Sequence, residues 1–161
     1  MNISKNFLSK KDFKKLKDVM MGYNFPWYFN DFVNYKDRKK NEFQFTFTFI
    51  KTGGECNCSE KIMLLLKPIF NKIKCKKINR VKANLLLKDF KIKEHSMHID
   101  QKIGTTGILY INDNNGYTKF ENGKKIKSEE NKYVEFNSLL KHTGTTCTNE
   151  NRRVVLNINY V

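Results

Sequence analysis

The 161-residue chain is poor in proline, tryptophan, histidine and arginine: it holds two, one, three and four of them. Each scarcity excludes something. Pro26 and Pro68 stand alone and no Gly/Ser/Pro-rich stretch interrupts the chain, so residues 1–161 read as one domain without an internal linker. No run approaches the roughly 18 apolar residues that a membrane-spanning helix needs. The opening MNISKNFLSKKDFKKLKDVM is too charged for a secretory signal. Without such a signal, Cys56, Cys58, Cys75 and Cys147 are expected to be reduced thiols in a cytoplasm, not two disulfides.

Acidic residues are also scarce. Sixteen oppose 31 cationic ones, for a formal net charge of +15. A polyanion partner would follow if that excess formed a binding face. Yet 27 of the cations are lysines, and Asn, Ile and Phe are abundant too, as an AT-rich coding sequence would produce. Surfaces that read phosphates and bases use the bidentate fork of arginine as well. A solvated lysine-rich surface is therefore preferred, with nucleic-acid binding kept as the alternative. The Cys-x-Cys of ECNCSE is a weak metal signal. A structural zinc would need two further ligands from Cys75, Cys147 or the histidines, and Cys147 reads better as a small packed residue.

What the chain does contain is periodicity. Phe7, Phe13, Leu16 and Met20 follow helical spacing, which predicts a helix over 9–21 packed on the body rather than a basic presequence. Phe43, Phe45, Phe47 and Phe49 alternate with Gln44, Thr46 and Thr48, which predicts a half-buried strand over 42–50. Ser59 and Glu60 open a helix over about 59–74 that Pro68 should kink. From residue 78 onward short strands dominate: about 79–87, 97–101, 105–112, 116–120, 131–136, 139–142 and 152–160. Asn-Asn-Gly at 114–116 and Asn-Gly at 122–123 read as hairpin turns. The pattern is mostly β with N-terminal helices. It suggests a sandwich or jelly roll with the helices against one sheet.

Against so few histidines, EHSMHID at 94–100 stands out. On a strand His98 and Asp100 share a face, while His95 has the other parity. One imidazole and one carboxylate suit Fe(II), and a second histidine would complete a facial triad. The remaining histidine, His142, can supply it. The pair can equally be a polar strand end without chemistry. In NENRRVVLNINYV, Val154, Leu156, Ile158 and Tyr160 should pack on the helices. Arg153 then turns inward, where it needs an anion such as a dicarboxylate. Arg152 ranks second.

The order His98-x-Asp100, His142, then Arg153 heading the last strand resembles the Fe(II)/2-oxoglutarate-dependent oxygenases, and within them the prolyl-4-hydroxylase-like group, notably its short stand-alone bacterial and phage members. RVKANLLL, HSMHID, TGILYINDNNGYTKF and LKHTGTTCTNENRRVVLNINY carry the likeness. They span about half the chain. The resemblance implies a double-stranded β-helix (jelly-roll) core at 79–161, buttressed by a helix-and-strand region at 1–78. It implies Fe(II) held by His98, Asp100 and His142, and the distal carboxylate of 2-oxoglutarate held by Arg153 and the Tyr110 hydroxyl. Asn84 matches a position that contacts the cosubstrate in some relatives. Where relatives often carry Tyr then Pro, this chain has Leu86 and Leu87.

The implied activity is hydroxylation with O₂, with 2-oxoglutarate decarboxylated to succinate and ascorbate as reductant. No catalytic residue beyond the metal triad is implied. A peptide or protein substrate is favoured, proline first. A nucleic-acid-modifying oxygenase and a non-catalytic binding module are the rival readings. No membrane partner is expected, and the compartment would be the host cytoplasm for a phage protein.

Overall fold

A computed structural model of the chain describes residues 1–38 and 42–161. Helix α1 (Lys10–Met21) begins where Ser9 accepts the Asp12 amide on its hydroxyl at 3.1 Å. Phe13, Leu16 and Met20 form its buried stripe. Helix α2 (Glu60–Ile73) runs unbroken through Pro68. The proline removes one backbone donor. The carbonyl of Leu64, four residues earlier, loses its helical partner, and Leu64 lies on the exposed side of the helix.

The strands among the described residues are β1 (Asn2–Ser4), β2 (Tyr28–Asn30), β3 (Gln44–Ile50), β4 (Ile78–Leu87), β5 (Thr105–Tyr110), β6 (Tyr117–Phe120), β7 (Lys125–Lys127), β8 (Tyr133–Asn137), β9 (His142–Gly144) and β10 (Arg152–Tyr160). They form a seven-stranded sheet ordered β1-β8-β5-β10-β4-β3-β2 and a three-stranded sheet ordered β7-β6-β9. From β5 onward the chain passes back and forth between the sheets, which is how a jelly roll is wound. All pairings of the large sheet are antiparallel.

Two apolar layers flank the large sheet. One packs Val154, Leu156, Ile158, Val81, Leu109 and Phe49 against α1 and α2. The other, with Val155, Ile108, Phe120 and Phe136, fills the space between the sheets. The helices thus cover one face, and the inward parity of Arg153 is as the alternation of β10 demanded. On a strand buried along its length, an unpaired polar group costs about 1–3 kcal/mol. Arg153, Asn157 and Asn159 are the buried polar residues of β10, and all three turn away from the helices.

Several expected elements are different. Residues 97–101 form no strand; His98 alone pairs, exchanging both backbone hydrogen bonds with His142 at 3.0 Å. The segment crosses from the small sheet to the large one, where Arg80, Asn157 and Asn159 hold Asp100, so it cannot ladder along either. Residues 138–140 form a turn, not a strand. The Asn137 side chain accepts the Leu139 amide at 2.9 Å, and the strand starts at His142. Asn-Asn-Gly at 114–116 is a crossover between sheets, since β5 and β6 lie in different ones; Asn-Gly at 122–123 does close the β6–β7 hairpin. Phe43 lies outside β3 and is exposed. The edge strands β1, β2 and β7 had no clear signal: each is three residues long.

Candidate metal centre

His98, Asp100 and His142 meet between the sheets, with one ligand atom from each lying within 4.8 Å of the others. His98 Nε2 is 3.7 Å from Asp100 Oδ1, and His142 Nε2 is 3.6 Å from Asp100 Oδ2. The ring orientations are set from behind. His98 Nδ1 lies 3.3 Å from the Ser96 carbonyl, and His142 Nδ1 lies 3.1 Å from the Leu140 carbonyl. A carbonyl only accepts, so each Nδ1 donates there, and each Nε2 is left facing Asp100. Burial pushes the His142 imidazole below its ordinary pKa, toward the neutral form a metal requires.

Asp100 is held by three donors. Arg80 Nη2 reaches Oδ1 at 3.3 Å, while Asn157 and Asn159 reach Oδ2 at 3.0 and 3.3 Å. Burial would raise its carboxyl, but His142, Arg80, His98 and the Asn157 bond together hold it down to about 2. Two imidazoles and an ionised carboxylate on one side of a cavity fit a divalent transition metal with open positions. His95 stands apart. Its Nδ1 pairs with Glu42 at 2.7 Å, and the neighbouring Ser96 amide donates to Asp37, fastening this loop over the site. Among the described residues no cysteine joins a metal-binding group, and all four thiols are free.

The triad opens into a cavity of about 280 Å³ that also receives Arg80, Lys82, Asn84 and Arg153. Phe32, Val33, Asn34 and Tyr35 form the facing wall, braced by the Gln44 amide donating to the Val33 carbonyl at 2.9 Å. Arg153 is 3% exposed. Its Nε donates to Ser128 Oγ at 2.9 Å and its Nη2 to Thr118 Oγ1 at 3.3 Å. No described carboxylate pairs with it. A buried guanidinium without an anion, on the wall of an open cavity, fits a carboxylate ligand. Gly116 makes room for it: a Cβ there would come within 2.7 Å of Arg153 Cδ.

Tyr110 is fully buried and does not line the cavity. Its hydroxyl donates to Thr118 Oγ1 at 2.8 Å, and its ring lies 5.7 Å from the Arg153 guanidinium. Burial keeps this phenol protonated, so it steadies Thr118 and Arg153 from behind. Asn84 does line the cavity, opposite Val155 in register, and Leu86 fills the neighbouring position. Arg152 points elsewhere and donates to the Met21 carbonyl. Sequence reasoning passed over Arg80, Lys82, Thr118 and Ser128. The first two had a signal: Arg80, Lys82 and Asn84 alternate with Val81, Ala83 and Leu85, which places three polar side chains on the inner face of β4.

No protein-family model and no curated protein matches the sequence. Solved structures do match at the level of fold. A prolyl hydroxylase from Trichoplax adhaerens, in complex with a hypoxia-inducible-factor degradation-domain peptide, superposes with a TM-score of 0.70 at 14% identity, over 99% of this chain and 82% of that one. A prolyl-4-hydroxylase from Pseudomonas putida gives 0.63 at 12% identity, over 99% and 91%. A 2OG-Fe(II) oxygenase family protein from Burkholderia pseudomallei gives 0.61 at 14%, over 91% and 76%. The chain has the fold of these oxygenases.

Proposed function

We propose that the protein is an Fe(II)- and 2-oxoglutarate-dependent dioxygenase that hydroxylates a peptidyl residue, proline foremost. The observation that carries this reading is one cavity holding both the His98–Asp100–His142 triad and a buried Arg153 with no anion of its own. In this reading the three side chains ligate Fe(II) through Nε2, a carboxylate oxygen and Nε2. Arg153 takes the distal carboxylate of 2-oxoglutarate, with Thr118, Ser128 and Tyr110 fixing its position, and Asn84 lies along the cosubstrate. Bound Fe(II) with 2-oxoglutarate and O₂ supplies the oxidation: a C–H bond becomes C–OH while 2-oxoglutarate becomes succinate and CO₂, and ascorbate keeps the iron ferrous. The chain itself orients the ligands and shields the reaction from water.

The fold likeness to a peptide-bound prolyl hydroxylase supports a peptide substrate. Four free thiols support a reducing compartment, a cytoplasm. No described helix is long and apolar enough to cross a membrane. The whole chain acts as one oxygenase unit, with 1–78 as the buttress of the 79–161 core. Nucleic acid is the rival substrate class; retention of DNA or RNA that falls steeply with salt would mark it.

The test is succinate formation from 2-oxoglutarate in air, with Fe(II) and ascorbate and no added substrate. Wild type should form it slowly, and His98→Ala and His142→Ala should not. Arg153→Met should raise the KM for 2-oxoglutarate by tenfold or more, about 1.4 kcal/mol. Failure of the wild type both to form succinate and to bind 2-oxoglutarate would return the cavity to a non-catalytic binding module.

A further inference from the structure

Lys82 is a half-buried cation with no anion of its own: the nearby acid, Asp100, is already held by Arg80, Asn157 and Asn159. It stands on β4 between Arg80 and Asn84, and all three line the cavity. Its ammonium makes no hydrogen bond or ion pair with any described residue. Arg80, by contrast, is bonded to Asp100 and to Asn159 Oδ1. Asp100 is the one acidic residue among those that line the cavity. Arg80, Lys82 and Arg153 against Asp100 leave two positive charges in excess. A divalent metal and a dicarboxylate would cancel each other and leave that excess in place. Burial and Arg80 already push the Lys82 amine down to about 8, so the cavity opposes its charge as it stands.

Register tells where the missing anion goes. Arg153 pairs with Leu86, whereas Lys82 pairs with Asn157, whose side chain holds the metal-site carboxylate. Four residues of strand separate the two levels, roughly 13 Å. Arg153 and Lys82 therefore enter at different depths, and Lys82 enters at the depth of the metal.

We propose that Lys82 is a specificity-determining residue that pairs with a carboxylate of the substrate, so that the substrate is an acidic peptide with Asp or Glu beside the residue that is hydroxylated. This rests on the oxygenase reading above. A carboxylate at this depth could also belong to the cosubstrate, and the experiment separates the two sources.

The full chain is loaded with Mn(II), which binds without turnover, and 2-oxoglutarate. Two pools of proline-centred heptapeptides are then titrated, one with Asp or Glu flanking the proline and a matched one with Asn or Gln. Wild type should bind the acidic pool about tenfold more tightly. Lys82→Met should erase that preference and Lys82→Arg should keep most of it. The 2-oxoglutarate Kd should stay within about twofold in Lys82→Met, while Arg153→Met loses tenfold or more. Equal binding of the pools, binding of neither, or a preference that survives Lys82→Met overturns the proposal. A loss of 2-oxoglutarate affinity in Lys82→Met as large as that in Arg153→Met assigns the lysine to the cosubstrate and overturns it too. Failure of the metal-loaded wild type to bind 2-oxoglutarate at all is the separate failure of the oxygenase reading, and it takes the proposal with it.

Discussion

Two charged residues in the cavity have lowered pKa values, so each makes the fold more stable as pH rises, in different windows and for different reasons. Burial and then Arg80 lower the Lys82 amine from 10.5 to about 8, with Asp100 pulling weakly the other way. Below about pH 8 the amine is charged in both folded and unfolded chains, and the whole burial penalty is present. It is relieved as pH rises from 8 toward 10.5. Lys82→Met should therefore stabilise the metal-free protein at pH 7, on the order of 2–3 kcal/mol, with the gain fading by about pH 10.5. A Tm at pH 7 that is unchanged or lower would contradict this. Asp100 shifts in the same direction, its carboxyl moved from 3.8 to about 2, but here the fold favours the charged form. The stability it contributes is present above its unfolded pKa and is lost as pH falls through about 2. In urea titrations Asp100→Asn should lower stability at pH 7 by on the order of 2 kcal/mol. Its acid limb between pH 4 and 2 should be shallower than that of the wild type.

At the scale of elements, the two helices open on the same residue type with different consequences. Ser9 accepts the Asp12 amide and donates to the Asp12 carboxylate, whereas Ser59 makes no side-chain capping bond. Ser9→Ala should cost about 1 kcal/mol and Ser59→Ala only a few tenths, read from parallel denaturation curves. The crossover from β5 to β6 has its own requirement. A Cβ on Gly116 would press on Arg153 Cδ at 2.7 Å and on Asn114 Oδ1 and the Thr146 carbonyl at 2.8 Å. Gly116→Ala should weaken 2-oxoglutarate binding by about tenfold through a displaced guanidinium, with the far-ultraviolet circular dichroism retained. Loss of the spectrum instead would make Gly116 a folding residue first.

Across the whole molecule, charge is the dominant surface property. If all sixteen acidic side chains were paired, fifteen cations would remain. Pairs such as Lys14–Asp18 and Lys51–Glu55 are exposed and contribute little. Self-repulsion should therefore be screened by added salt: Tm should rise between about 10 and 200 mM NaCl. A Tm that falls with salt would show that the surface pairs outweigh the repulsion. The same field would draw an acidic peptide toward the mouth of a cavity that already has two uncompensated positive charges.

Periodicity alone determined much of this protein. The apolar stripe of α1, the alternation of β3 and the bounds of β10 at 152–160 were legible because burial on one face imposes a period that any sequence must obey. The inward side of Arg153 followed from the same parity. The pairing of His98 with Asp100 was anticipated for an insufficient reason. The pleat of a strand was to align them, but no strand forms there, and their approach depends on Arg80, Asn157 and Asn159 drawing Asp100 across to the large sheet. Such a bond joins residues 20 to 59 positions apart, and no local pattern records it. The tertiary structure also decided that the Tyr110 hydroxyl serves Thr118 and that Asn-Asn-Gly at 114–116 crosses between sheets. It left Lys82 in the cavity without a partner. Those outcomes depend on which faces meet, and a period in the sequence specifies a face without specifying what stands opposite it.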